Sequence, residues 1–340
     1  MPERKGTSTI LLSARPCVLG HAAAVGKKEG EGPLGAEFDR VFDDTTLGED
    51  SWEKAESALV REAFTRALDK AGVSPSQLHA IFAGDLLNQC IASTFGLREF
   101  GVPYLGQFGA CSTMAQTLAL SAIFVDSGAA DLCCAVTSSH FCSAERQFRY
   151  PLEYGGQRPP TSQWTATAAG AAVVGLGGRG ARIADVAIGR VCDLGVTDAN
   201  NMGAAMAPSA ADTLLRYLSD TGTVPGDYDL IVTGDLAAVG SDLFRTLLRR
   251  EGVELGDRHA DCGLLIYDRQ RQDAHAGGSG CGCSAAVLCG HLLRRIASGE
   301  LQSVLFLGTG ALMSPTSAQQ GESIPGITHL VHLTAPKPAG

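Results

Sequence analysis

The sequence predicts an α/β protein made of two similar halves, packed in αβαβα layers about a pseudo-twofold axis. The main observation is an internal repeat. Residues 81–86 (IFAGDL) and 111–136 (CSTMAQTLALSAIFVDSGAADLCCAV) parallel residues 231–236 (IVTGDL) and 282–307 (GCSAAVLCGHLLRRIASGELQSVLFL). In each copy an apolar run ends in Gly-Asp-Leu, and a small-residue helix start then leads through an apolar helix to a Ser-Gly stop and a second apolar strand. Composition supports this, since 340 residues with 45% hydrophobic and 19% charged content suit a large soluble core. The 42 glycines against 6% aromatics point to tight turns and close backbone approach. The expected halves are residues 1–180, with a loop insertion at 141–164, and residues 181–340.

Taken in order, residues 50–72 read as the clearest helix, with Asp50 and Glu53 as a capping box and Gly72 as the stop. The strand LHAIFAG (78–84) follows. Cys111, after Gly109-Ala110, opens a helix that runs to Gly128, and LCCAV reads as a buried strand in which Cys133 and Cys134 are small apolar fillers. Residues 171–176 and 181–191 read as a strand pair around a Gly-Gly-Arg-Gly turn. The second half repeats the alternation: a helix near 210–218, IVTGDL, a helix at 240–252, CGLLIYD, a glycine-rich stretch, a helix and SVLFLG. The alternating ITHLVHL (327–333) reads as an outer strand. Residues 141–164 hold five of the twenty aromatics together with Arg146, Arg149 and Arg158. Their Gly and Pro content reads as an ordered loop of the lid or subunit-contact kind.

A formal charge of -9 and no basic stripe argue against nucleic acid as a partner. The opening apolar run is too short for a signal peptide, so the eleven cysteines read as reduced. No Cys-x-x-Cys spacing or histidine cluster suggests a metal site. No run reaches the ~18 apolar residues of a membrane span, so membrane association would come through a partner.

Matching the two Ser-Gly stops sets Cys111 opposite Gly282, and this difference marks the place to look for function. At a helix N-terminus, free N–H groups and the helix dipole favour a thiolate and donate to an oxyanion; the alternative is a core cysteine. A thiolate enzyme also needs a base, and His140 is the nearest candidate, unless it only caps a strand end. Residues 275–286 (HAGGSGCGCSAA) can bring backbone N–H groups to an anion but form neither a P-loop nor a dinucleotide fingerprint. Cys281 and Cys283 line the same cavity, form a redox pair, or fill a tight helix junction. Asp85 and Asp235 end equivalent strands, either as ligand residues or as caps of the following turn, and their repetition favours the cap.

Long segments carry a resemblance. They include KEGEGPLGAEFDRVFDD (28–44), AGDLLNQ (83–89), FGACST (108–113), TSSHF (137–141), AERQFRYPLEYGGQ (144–157), MGAAMAPSAADT (202–213), GDRHADCGLLIYD (256–268), AGGSGCGCSA (276–285) and TGALMSP (309–315). Through them the chain resembles the stage V sporulation protein AD family of the thiolase-like superfamily over nearly its whole length. The resemblance implies a thiolase-like duplicated fold and a role in endospore formation: binding dipicolinic acid with calcium and helping a membrane channel of sister proteins load it into the developing spore. It also implies a homodimer, and a cytoplasmic protein held peripherally at the forespore or spore inner membrane by its partners. Cys111 matches the acyl-accepting cysteine of thiolases. Their second-half motifs are replaced here by Gly278-Ser279, Gly308-Thr309-Gly310 and Gly234-Asp235-Leu236, so Cys111 reads as a vestigial nucleophile without acid/base partners.

The expectation is therefore a non-catalytic protein with no cofactor, whose former acyl pocket holds dipicolinic acid. Cys111, Ser138, Ser139, His140, Ser279, Cys281 and Cys283 are the expected wall and donors, and Arg146 or Arg149 the carboxylate partner. Calcium would arrive already chelated, since no Asp-rich loop is present. The alternatives are a residual acyl-thioester transferase or condensing enzyme using Cys111 with His140, and a purely structural adaptor of the channel.

Overall fold

A computed structural model describes residues 1–148 and 158–336. Ten of the thirteen strands of the main sheet among the described residues form two five-stranded half-sheets of the same topology. In the first, β1 (Cys17–Val25), β2 (Ala80–Gly84), β3 (Tyr104–Gly106), β4 (Leu132–Ser139) and β5 (Ala168–Gly175) lie in the order β3-β2-β4-β5-β1. In the second, β6 (Arg182–Ala187), β7 (Leu230–Thr233), β8 (His259–Asp261), β9 (Ser303–Ala311) and β10 (Gly326–Thr334) lie in the order β8-β7-β9-β10-β6. In each, the first two pairings of that order are parallel and the last two antiparallel, so only the fourth strand, β5 or β10, runs against the others. The half-sheets meet through the single pair Arg182 and Cys17.

Helices make the other three layers. Outside the first half-sheet, α1 (Trp52–Ala71) seats Leu59, Val60, Phe64 and Leu68 on Ile81, Val136 and Val173. Between the half-sheets, α2 (Thr113–Asp126) lies beside α4 (Cys281–Ala286), which continues through a π-helical stretch to Ala297. Apolar residues of both, such as Leu118, Val125, Leu288 and Ile296, share one buried cluster with Phe82, Val174, Phe306 and Val331. Contact with sheet on both sides explains why α2 is apolar all round. Outside the second half-sheet, α3 (Met202–Thr221) and the helix Ala237–Arg250 seat Met206, Leu214, Phe244 and Leu248 on Ile231, Leu305 and Leu330.

Four expectations are corrected. Strands β5 and β6 are both present but do not pair, because β1 runs antiparallel along all of β5 and separates them. The CVLGHAAAV of β1 is mostly buried and small, so it shows no strand alternation. Strand β10 is central, between β9 and β6. Its alternating polar residues are paired inside the protein: Thr328 with the Ser209 hydroxyl at 2.8 Å, His332 with Asp185 at 3.1 Å and with Ser303 at 2.9 Å. The expected loop starts as a helix, Phe141–Phe148, while residues 149–157 lie outside the described residues. Finally, α1 is capped by Ser51, whose Oγ accepts from the Lys54 N–H, and Asp50 only pairs with Lys54 at the surface.

Candidate active-site cleft

Cys111 is set by a turn that bonds to itself. The Ser112 N–H and hydroxyl donate to the Gly109 carbonyl at 3.0 and 2.7 Å, and the Thr113 hydroxyl donates to that of Ala110. Ala110 takes φ 50°, a left-handed conformation that costs a non-glycine residue about 1–2 kcal/mol. The turn rests directly on β9. A Cβ on Gly310 would lie 2.4 Å from the Gly109 carbonyl oxygen, and one on Gly308 would lie 2.7 Å from the Ala115 methyl. Glycines at 308 and 310 thus let the cysteine turn reach the strand of the other half.

Cys111 forms the floor of an open cleft of about 670 Å³, mouth included. Among the described residues, the walls are apolar at Leu86, Phe108, Ala110, Ala144, Phe148, Ala199, Met202, Ala311 and Met313, with Glu145, Gln163, Thr165, Asn200 and Ser279 as polar lining. Behind the floor stands Asp235, fully buried. Its carboxylate accepts from the Ser279 hydroxyl at 3.1 Å, the Gly280 N–H at 2.9 Å and the Thr309 hydroxyl at 2.8 Å. The Cys111 sulfur lies 4.0 Å from the Ser279 oxygen. Burial pushes the Asp235 carboxyl up to about 6, against the pull of its hydrogen bonds. Burial, reinforced by Asp235, raises the Cys111 thiol well above its ordinary range. The expected thiolate is therefore reversed into a neutral thiol, because desolvation and a neighbouring carboxylate outweigh the helix start.

Of the expected site residues, the cleft brings together Cys111 and Ser279. Ser138 is buried and donates to Glu56 at 3.0 Å. Ser139 is buried too, donating to the Ala166 carbonyl at 2.7 Å and accepting from Gly282 N–H at 3.1 Å. His140 cannot serve as the base for Cys111. Its Nδ1 accepts from the Cys142 N–H, which leaves Nε2 to donate to the Thr45 carbonyl at 2.7 Å, and burial lowers its pKa. Cys281 packs beneath the floor with Leu86, Cys111 and Ala144, its thiol donating to the Ser138 carbonyl at 3.0 Å. Cys283 is a core residue. Arg146 pairs with Glu53 beside Trp52, away from the lining, and Arg149 lies outside the described residues.

The sequence reading weighed Asp235 as a ligand residue or a turn cap and favoured the cap, whereas the turn is closed by Asp261. It missed most of the walls. A signal for the walls existed, since Leu86, Phe108, Met202 and Met313 all fall in the segments that carry the family resemblance.

Five layers around a buried helix pair, with a cysteine turn on the opposite half-sheet, define a protein of the thiolase-like class. Solved structures agree on the fold. The 3-oxoacyl-[acyl-carrier-protein] synthase III of Aquifex aeolicus VF5 is 14% identical, at TM-score 0.56 over 94% of this chain and 99% of that one. OleA of Xanthomonas campestris with cerulenin is 13% identical, at TM-score 0.59 over 97% of each. Residues 6–334 match the model of the stage V sporulation protein AD (SpoVAD) family, and the stage V sporulation protein AD of Bacillus subtilis (strain 168) is 45% identical over 306 residues, 90% of each chain. The chain belongs to that family. Among the described residues no helix is long and apolar enough to cross a membrane.

Proposed function

We propose that this chain is a non-catalytic binding protein of endospore formation whose cleft holds dipicolinic acid as its calcium chelate and assists its uptake into the developing spore. One observation carries the reading: the polar groups against the Cys111 thiol are the Ser279 hydroxyl and the Asp235 carboxyl, with no imidazole bonded to it among the described residues. A thiol held neutral by burial and by a neighbouring carboxylate, with no imidazole beside it, is a poor acyl acceptor. The cleft itself suits a small flat ligand, with Phe108, Phe148, Met202 and Met313 offering apolar walls and Gln163, Thr165 and Asn200 offering polar contacts.

The role at the inner membrane, through sister proteins of the channel, rests on the family. A homodimer is supported by the edge strand β3, with Leu105 and Phe108 exposed beside the helix carrying exposed Ile91 and Phe95. Calorimetric titration with dipicolinic acid, free and as its calcium chelate, tests the reading. Saturable binding near one ligand per chain, lost in Cys111→Trp at an unchanged melting temperature, is the expected result. Absence of heat with either form would leave a structural adaptor of the channel. Residual acyl transfer remains the second reading because Cys111 faces the cleft. An acyl adduct on Cys111 after incubation with acyl-coenzyme A would establish it.

A further inference from the structure

Asp235 differs from Asp85 and Asp261, the buried acids that close the two strand-end turns, because its hydrogen bonds end at the cleft surface. Asp85 is closed by Leu87 N–H, Ser93 N–H and the Ser93 hydroxyl, and Asp261 by Leu236 N–H, Ala237 N–H and the Thr233 hydroxyl. On Asp235 one donor, Ser279, is itself a wall of the cleft. While the carboxylate is ionised it accepts from Ser279, so the serine turns only lone pairs toward a ligand. That polarity repels an anion. We propose that Asp235 sets which ligand charge the cleft accepts: protonation releases the Ser279 hydroxyl to a ligand carboxylate, so that an anion binds with uptake of one proton. This deepens the dicarboxylate reading and rests on it.

The hydrogen bonds select where the proton sits. The Thr309 hydroxyl is fully buried, already accepts from the Asp235 N–H at 3.1 Å and donates to Oδ1, so a proton there would orphan the threonine's own hydrogen. On Oδ2 the proton points to Ser279, which can pass its own hydrogen into the cleft, while the Gly280 N–H keeps its acceptor. The ionisable groups around Asp235 from other elements are Cys111 of the turn, Cys281 and Cys283 of α4, Asp261 of β8 and Cys262 after it. Burial holds the four thiols protonated. The acceptor oxygens of Asp261 are taken by backbone and Thr233, away from the cleft, so its titration leaves Ser279 unmoved. The carboxyl's upward displacement to about 6 brings the exchange within reach of neutral pH.

The test is calorimetric titration of the full chain with pyridine-2,6-dicarboxylate, free of metal, between pH 6 and pH 8, where the carboxylates of the ligand stay ionised. In the wild type the Kd should rise on the order of tenfold or more across that range, with up to one proton taken up, read from buffers of different ionisation heat. Asp235→Asn, which mimics the protonated acid, should bind with less than about threefold change across the range. Ser279→Ala should bind weakly at both ends; melting curves of both variants check folding. Binding without proton uptake, or a slope kept in Asp235→Asn, overturns the switch and leaves the binding site standing. No binding of the free dicarboxylate by the wild type at any pH overturns the switch, and no binding of its calcium chelate either overturns the binding site as well.

Discussion

Asp85 and Asp235 end equivalent strands in the two halves, yet one looks inward and the other looks at the cleft. Asp85 closes its own turn through Leu87 and Ser93. In the second half that task falls to Asp261, which binds the Leu236 and Ala237 N–H groups. Asp235 is thereby free to hold Ser279, Gly280 and Thr309. The helix starts diverge in the same way. Cys111 opens onto the cleft, whereas a Cβ on Gly282 would lie 2.3 Å from the Ala168 carbonyl oxygen and 2.6 Å from the Ser139 hydroxyl. A duplicated frame can thus keep its layers alike while its two central helix starts take different work: one bears the reactive group, the other seals the core.

Making the halves alike should be the most damaging change. Gly282→Cys forces a side chain against Ala168 backbone and should cost about 3 kcal/mol, read from the denaturation midpoint. The reverse change, Cys111→Gly, should cost about 1–2 kcal/mol because the cysteine already borders open space. Equal costs would break the contrast.

The next largest effect is a pH dependence from the first half. Burial, then the charge of Asp85, pushes Glu56 up to about 8. Between its ordinary value of 4.5 and about 8 the unfolded chain has lost this proton while the folded chain keeps it. Stability from Glu56 is therefore full below the ordinary value and falls as pH rises toward 8. Glu56→Gln should flatten that decline and leave the variant about 3 kcal/mol above the wild type at pH 8, relative to their difference at pH 5, in paired melts.

Smaller still is the reactivity of Cys111. Since Asp235 adds to the burial that raises the thiol, Asp235→Asn should speed its alkylation at pH 8. Asp85→Asn should leave that rate within about twofold, and peptide mapping after iodoacetamide labelling separates the two. Last come the outer helices, where the halves remain equivalent. Ser51 caps α1 and Asn201 caps α3, and replacing either by alanine should cost about 1 kcal/mol, while Asp50→Ala should cost less than about 0.5 kcal/mol.

Much of the frame was legible in the sequence because helix and strand periods survive duplication. Gly-Asp-Leu at 84–86 and 234–236 and the Ser-Gly stops located both copies and the Cys111 to Gly282 difference. Strand β1 escaped because its alanines are buried on both faces, and β10 misled because Thr328 and His332 find partners within the core. In the site, Cys111 and Ser279 were legible from their glycine-rich turns. His140 misled because sequence proximity to the strand end says nothing of ring direction, and the Thr45 carbonyl, 95 residues away, accepts from its Nε2. Asp235 was hidden because its partners, Ser279 and Thr309, lie 44 and 74 residues downstream, and a cap and a site acid look the same in one dimension.

The most direct test of the account is protection of Cys111 from alkylation by the calcium chelate of dipicolinic acid. If the ligand lies on the floor of this cleft, the labelling rate of Cys111 falls to near zero as the chelate saturates, with a single half-point equal to the calorimetric Kd. Cys111 labelled at an unchanged rate by a protein saturated with the chelate would place the ligand elsewhere and contradict the account.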